Sequence, residues 1–402
     1  MKILVVAPDF YPTNGGYANA IGNFVNEMGK DGELEVLIYT PIALGKMREI
    51  NIPRVSFIRC PAGNFLLASG IWEIKSYFKI KTILKKENID CIFFETAEFG
   101  LLGYLLSYSF KNILVRIHAC TETEVAIWGA GFYNRYRSYF VRAFFKKVRW
   151  VISTNSYHIQ FYKEFFLGNN IYEVAKRRFF VIPNIVYRDE TNIEKKVLLD
   201  KYVDTERGLM GKKIFFTLGR LNSVGLIQKG IEDLLYAVAL LKQEVPEKTL
   251  QNICIFVVGE GEYKMYIRNL AKRLGINQFF IFIDKVEHRD ILGFLRISNG
   301  TILLSRFEGL SMFALEALAQ GSPLLLSKGG GLADLVVDGR NGFFIEPQNI
   351  ESIKNSLNEL INLCPEDMER MQEQSLRIYH ENFSPADIVK KFKFVVELLR
   401  RS

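Results

Sequence analysis

A chain of 402 residues with 49% hydrophobic and 24% charged side chains is long enough for two cores and too apolar to stay disordered. No apolar run reaches the roughly 18 residues that cross a bilayer. The opening Ile3-Leu4-Val5-Val6-Ala7 stops at Pro8-Asp9, so it reads as a strand and not as a signal peptide. The five cysteines show no C-x-x-C spacing, which points to reduced thiols in a cytoplasmic setting without a structural zinc site. The net charge of +8 is one-sided. Residues 1–185 hold 23 Lys and Arg against 15 Asp and Glu, whereas residues 186–402 hold 29 of each. Such a field fits an anionic partner.

In chain order, residues 2–7 form an apolar, β-branched strand. A polar loop with Asn14-Gly15-Gly16 follows, then a helical pattern over 17–30. Strand patterns recur at 34–39, 91–94, 113–117 and 150–153; residues 100–108 read as a short buried helix. The series restarts after a charged, irregular stretch at 187–211. Strands are expected at 214–218, 253–258, 279–283, 301–304 and 323–326, with a helix at 231–242 and an amphipathic helix at 385–401. Alternating strands and helices predict an α/β fold of two Rossmann-like domains, with ligands at the carboxyl ends of the strands and in the cleft between them. The expected divisions are 1–186, 187–382, and a last helix, 383–402, packing back on the first domain.

The most informative segment is Ser305-Arg306-Phe307-Glu308-Gly309-Leu310-Ser311, which leads into a helix carrying Glu316. Free N–H groups and the positive end of a helix dipole there favour phosphate or carbohydrate oxygens. Glu308 in the turn and Glu316 in the helix suit two tasks, one beside sugar hydroxyls and one beside a ribose diol. Gly329-Gly330-Gly331 predicts a tight turn at which backbone approaches a ligand closely.

This segment resembles the E-x7-E signature of retaining glycosyltransferases of family 4, which have the two-domain GT-B architecture. The resemblance extends over nearly the whole chain. Gly15-Gly16 resembles the N-terminal glycine loop, and His118, after Val115-Arg116-Ile117, stands where these enzymes carry an active-site histidine. Ser153 and Ile182-Pro183-Asn184 match later motifs of the first domain. Gly219-Arg220-Leu221 and Lys229-Gly230 match the basic pair that holds the donor diphosphate, and Gly259-Glu260-Gly261 and Phe383-Ser384 complete the set. The sequence departs from the family's commonest form in Ile185, in Ser311, in Asp334 and in a longer loop between Arg220 and Lys229.

The resemblance implies transfer of a hexosyl unit from a nucleotide-sugar, UDP favoured over GDP, with retained anomeric configuration. Glu308, His118, Arg220 and Lys229 would be the catalytic set. Gly16, Arg220, Lys229, Glu260, Glu308, Gly309, Leu310, Ser311 and Glu316 would bind the donor, and Gly15, Gly16 and His118 would lie on the acceptor side. The leaving diphosphate gathers negative charge. With no D-x-D motif to hold a metal, Arg220 and Lys229 are the expected counter-charges, and no cofactor or metal is expected. A nucleotide-sugar 2-epimerase and a non-catalytic binding protein of similar architecture are the rival readings. A nicotinamide-dependent oxidoreductase fits poorly, because no G-x-G-x-x-G follows the first strand.

Residues 133–150 hold six basic and no acidic side chains, with aromatics interleaved. This stretch is a candidate for peripheral contact with an anionic membrane, the alternative being an ordinary amphipathic helix with its aromatics on the sheet. A membrane contact would suit a saccharide acceptor on a lipid carrier, reached from the cytoplasmic face. No nucleic-acid module is present, so nucleic acid is not an expected partner.

Overall fold

The computed structural model describes residues 1–7, 16–42, 51–61, 70–96, 98–118, 132–168, 170–191, 193–203 and 208–402. The chain divides into two compact units, Met1–Ile185 with Phe383–Ser402, and Val186–Asn382.

Unit 1 is built on a seven-stranded parallel sheet: β1 (Lys2–Val6), β2 (Glu35–Ile42), β3 (Val55–Pro61), β4 (Cys91–Phe94), β5 (Ile113–Ile117), β6 (Trp150–Ser153) and β7 (Arg178–Val181). Their spatial order is β3-β2-β1-β4-β5-β6-β7. The central strands are buried along their length because helices cover both faces, which is why they read as unbroken apolar runs. On one face lie α1 (Gly16–Lys30) and the C-terminal helix (Pro385–Arg401). Phe392 of that helix meets Phe24 of α1 and Phe93 of β4 at centroid distances of 5.1 and 4.9 Å.

On the opposite face α2 (Ile71–Lys86), α3 (Gly100–Leu106) and α4 (Phe132–Lys147) pack in one layer over Leu4, Val6, Ile92 and Phe94. Gly100 and Gly103 permit α3 to lie against α4, since a Cβ at Gly103 would fall 2.5 Å from the Phe144 ring. The aromatics of the basic stretch are split by this packing. Phe144 and Phe145 are buried against Phe94 and Tyr162, while Arg142, Lys146 and Lys147 face solvent. The helix α5 (Ser156–Leu167) follows β6.

Unit 2 carries a six-stranded parallel sheet: β8 (Lys213–Leu218), β9 (Ile253–Val258), β10 (Phe280–Ile283), β11 (Gly300–Leu303), β12 (Leu324–Ser327) and β13 (Gly342–Ile345), in the order β10-β9-β8-β11-β12-β13. The strand order reverses between β1 and β4 in unit 1 and between β8 and β11 in unit 2. A reversal of this kind opens a crevice at the carboxyl ends of the flanking strands.

The stretch 187–211, read as irregular, contains the helix α6 (Lys195–Tyr202). Leu198 and Leu199 are buried, and both Lys201 Nζ and Tyr202 Oη donate to Asp290 Oδ2 at 2.6 Å. The segment is therefore part of unit 2. Its four charges within eight residues hid a short amphipathic helix.

Candidate active site

In unit 2 the chain leaves β8 at Leu218 and turns through Gly219-Arg220 into α7 (Ser223–Lys229). Asn222 caps this helix, its Oδ1 accepting from Gly225 N at 2.8 Å. The longer loop seen in the sequence is thus a helix of about two turns that carries the chain back on itself. A Cβ at Gly219 would lie 2.9 Å from Lys229 Cγ, so the helix returns Lys229 to the end of β8. Gly230, at φ 62°, ends α7 and opens the helix α8 (Ile231–Glu244).

From the neighbouring strand β11 comes Glu308. Its Oε2 accepts from Lys229 Nζ at 2.6 Å and from Ser305 Oγ at 2.9 Å. Lys229 and Glu308, each expected at the site, therefore meet at the switch point of unit 2. Glu308 fixes the ammonium, and its remaining hydrogens stay available to an anion. Arg220 is exposed at the same strand end and makes no ion pair or side-chain hydrogen bond among the described residues. Ser305, the second support of Glu308, lies in the quoted segment but has no assigned role in the sequence reading.

Gly309 and Leu310 continue the turn, and Ser311 caps α10 (Met312–Ala319) after α9 (His288–Ile297), its Oγ accepting from Ala314 N at 3.4 Å. Glu316 in α10 is nearly buried and bonds through Oε1 to His288 Nε2 at 2.8 Å. That bond raises the His288 pKa above its ordinary 6.5, because the carboxylate favours the protonated ring. Sequence reasoning missed His288; its signal was position, a histidine opening a helix close behind β10 in a chain with four histidines.

Glycines shape this region by close backbone packing. At Gly259 and Gly261 a Cβ would collide with the Gly219 carbonyl and the Leu221 carbonyl, and Leu221 N donates to Glu260 O at 2.9 Å. The Glu260 side chain itself is exposed. Gly330, at φ 59°, presses against the Glu308 carbonyl, and Gly331 N donates to that same oxygen at 3.3 Å. The close approach expected of the glycine triplet is thus made to the Glu308 turn. Gly330→Ala is expected to cost about 1–3 kcal/mol through left-handed strain and collision. A thermal melt reads the loss; an unchanged melting temperature would contradict this.

In unit 1, Gly16 opens α1 and is exposed, while Gly15 lies outside the described residues. Glu95 follows β4 at the switch point, and His118 follows β5. Arg116 and Glu95 are both wholly buried, with Nη1 3.5 Å from the carboxylate. Arg116 Nη2 donates to the carbonyls of Ile182 and Pro183 at 3.1 and 2.7 Å. Its guanidinium also stacks 4.4 Å from the Phe24 ring centroid. The Ile182-Pro183-Asn184 motif is therefore held by a buried cation that the sequence reading passed over as part of a strand.

His118 Nε2 lies 3.0 Å from Glu95 Oε2. Burial lowers the His118 pKa, so the ring is neutral near pH 7, and the nitrogen facing the carboxylate carries the hydrogen. His158 on α5 is pushed by burial down to about 4, with the nearby His118 adding to the fall. Both folded values lie below the unfolded one, so this stability is complete above about pH 6.5 and drains as the pH falls. For His158 the loss between pH 7 and pH 5 is on the order of 2 kcal/mol. Urea midpoints at the two pH values test it: His158→Asn should shrink the difference, and equal midpoints in the parent protein would contradict the account.

Residues 204–377 match the family model described as glycosyl transferases group 1. The chain is 26% identical to an uncharacterized glycosyltransferase of Methanocaldococcus jannaschii over 98% of both sequences. Among solved structures, the sucrose-phosphate synthase of Thermosynechococcus elongatus superposes with a TM-score of 0.77 at 17% identity, covering all of both chains. Anabaena HepE in complex with UDP and glucose gives a TM-score of 0.70 at 18% identity over 99% of each. Two parallel-sheet α/β units of this kind define the GT-B fold. The fold and the match over most of unit 2 together support a glycosyltransferase.

Proposed function

We propose that the protein transfers a hexosyl unit from a nucleotide-sugar, a UDP-sugar in preference to a GDP-sugar, to a saccharide on a lipid carrier. Anomeric configuration is retained, no metal takes part, and the product is an intermediate of a surface polysaccharide assembled at the cytoplasmic membrane face. The observation that carries this reading is the convergence of Arg220, Lys229 and Glu308 at the strand reversal of unit 2. UDP is favoured because HepE of Anabaena, which shares the fold, was solved with UDP and glucose.

When the bond from the anomeric carbon to the diphosphate breaks, charge grows on the leaving oxygens. Arg220 meets it with a planar fork and Lys229 with a compact ammonium. Glu308, held by Ser305 and Lys229, accepts hydrogen bonds from sugar hydroxyls and orients the ring. Glu316, steadied by His288, accepts from the ribose diol. The acceptor oxygen bonds to the anomeric carbon on the face that the diphosphate leaves, and its proton passes to the departing phosphate oxygen. Gly15, Gly16 and His118 serve the acceptor side.

The test is incubation with a panel of UDP- and GDP-sugars and lipid-linked saccharide acceptors in chelator, followed by NMR of the product. One UDP-sugar should give a glycoside with the donor's anomeric configuration. An inverted linkage, or dependence on added metal, would overturn the finer reading.

A further inference from the structure

The solvent face of α2 is inverted relative to a surface helix of a soluble domain. Residues 71, 74, 75, 78, 79, 82, 85 and 86 are exposed, at helical spacing, and among them are Ile71, Ile74 and Phe78. Phe78 keeps 64% of its surface in solvent. Every charge on this face is a lysine: Lys75, Lys79, Lys85 and Lys86. The helix's one acidic residue, Glu73, is turned inward, where it accepts from Leu102 N at 2.8 Å. Adjoining helices of the same layer extend the pattern, with Tyr139 on α4 and Tyr108 beyond α3 both exposed and Lys147 4.7 Å from the Tyr108 ring centroid.

We infer that the outer face of the α2–α3–α4 layer docks on an anionic lipid bilayer, with Ile71, Ile74 and Phe78 entering the interface and the lysines on the headgroups. Large apolar side chains ringed only by positive charge match that surface, where apolar burial and headgroup attraction add. A protein partner would have to be apolar and acidic on the same face, and a second copy meeting this face with its own would set lysine against lysine. The anchor is therefore α2 more than residues 133–150, whose phenylalanines at 144 and 145 are committed to the core. The inference stands on unit 1 alone and does not depend on the transfer chemistry of unit 2.

Sedimentation with vesicles tests it, using phosphatidylcholine alone and phosphatidylcholine mixed with phosphatidylglycerol, at low and high salt. The full chain should pellet with the anionic vesicles at low salt and be released by high salt. Ile74→Ser with Phe78→Ser, and separately Lys75→Ser with Lys79→Ser, should each lower partitioning by about tenfold or more. The exposed positions leave the thermal melt unchanged, which separates lost docking from lost folding. Failure of the full chain to pellet, indifference to both variants, or concentration-dependent dimerisation abolished by the apolar variant would overturn the assignment. Donor turnover is read separately, so its loss would bear on the proposed function and not on this face.

Discussion

Arg220→Ala is expected to lower sugar transfer by about a hundredfold to a thousandfold while leaving the melting temperature unchanged. Its side chain stands in solvent at the end of β8 with no bond to lose among the described residues, so the substitution leaves the folded unit as it is. On the proposed function, what it removes is a preorganised cation at the point where the diphosphate gathers charge. Lys229 cannot take over, because it supplies a point charge in place of a fork. Arg220→Lys should recover only part of the loss. The measurement is kcat/KM for the active donor beside a thermal melt, and a variant that melts normally and turns over normally would remove Arg220 from the mechanism.

Arg116→Met is expected to destabilise unit 1 by about 3–5 kcal/mol. The guanidinium has no solvent exposure, and its loss takes a cation from the Glu95 carboxylate, the carbonyls of Ile182 and Pro183, and Asn184 Oδ1. The Glu95 carboxylate left in the core without its guanidinium is the larger penalty, since its charge has no solvent to turn to. For a unit of this size the loss corresponds to a fall of about 10 °C in melting temperature. Adding Glu95→Leu to Arg116→Met should recover part of the deficit, because a buried pair replaced as a whole costs less than one broken in half. A double variant that loses the sum of the two single losses would show that the pair is not coupled.

The fold was legible where strands run through the middle of a sheet. Leu4, Val5 and Val6, or Ile255, Phe256 and Val257, are covered on both faces and announce themselves as apolar runs. The three strands that sequence reasoning did not find, β3, β7 and β13, all lie at sheet edges. In β3 and β7 the exposed Ser56 and Arg178 break the run, so the local pattern weakens where the sheet does. The candidate site was legible through Glu308, Arg220 and Lys229, because glycine turns mark the strand ends that bear them. Ser305, His288, Glu95 and Arg116 were not. Each acts through a partner far along the chain, as Arg116 does with Ile182 and His288 with Glu316, and such pairing is set by the sheet order and not by neighbours in sequence.

Release of nucleoside diphosphate from UDP-sugars in chelator, compared between the parent protein and Glu308→Ala, tests the central claim most directly. The account predicts release from one UDP-sugar by the parent protein, increased by acceptor and abolished by the substitution. Release that survives the loss of Glu308, or conversion of the donor to an epimeric sugar nucleotide with no diphosphate freed, would contradict it.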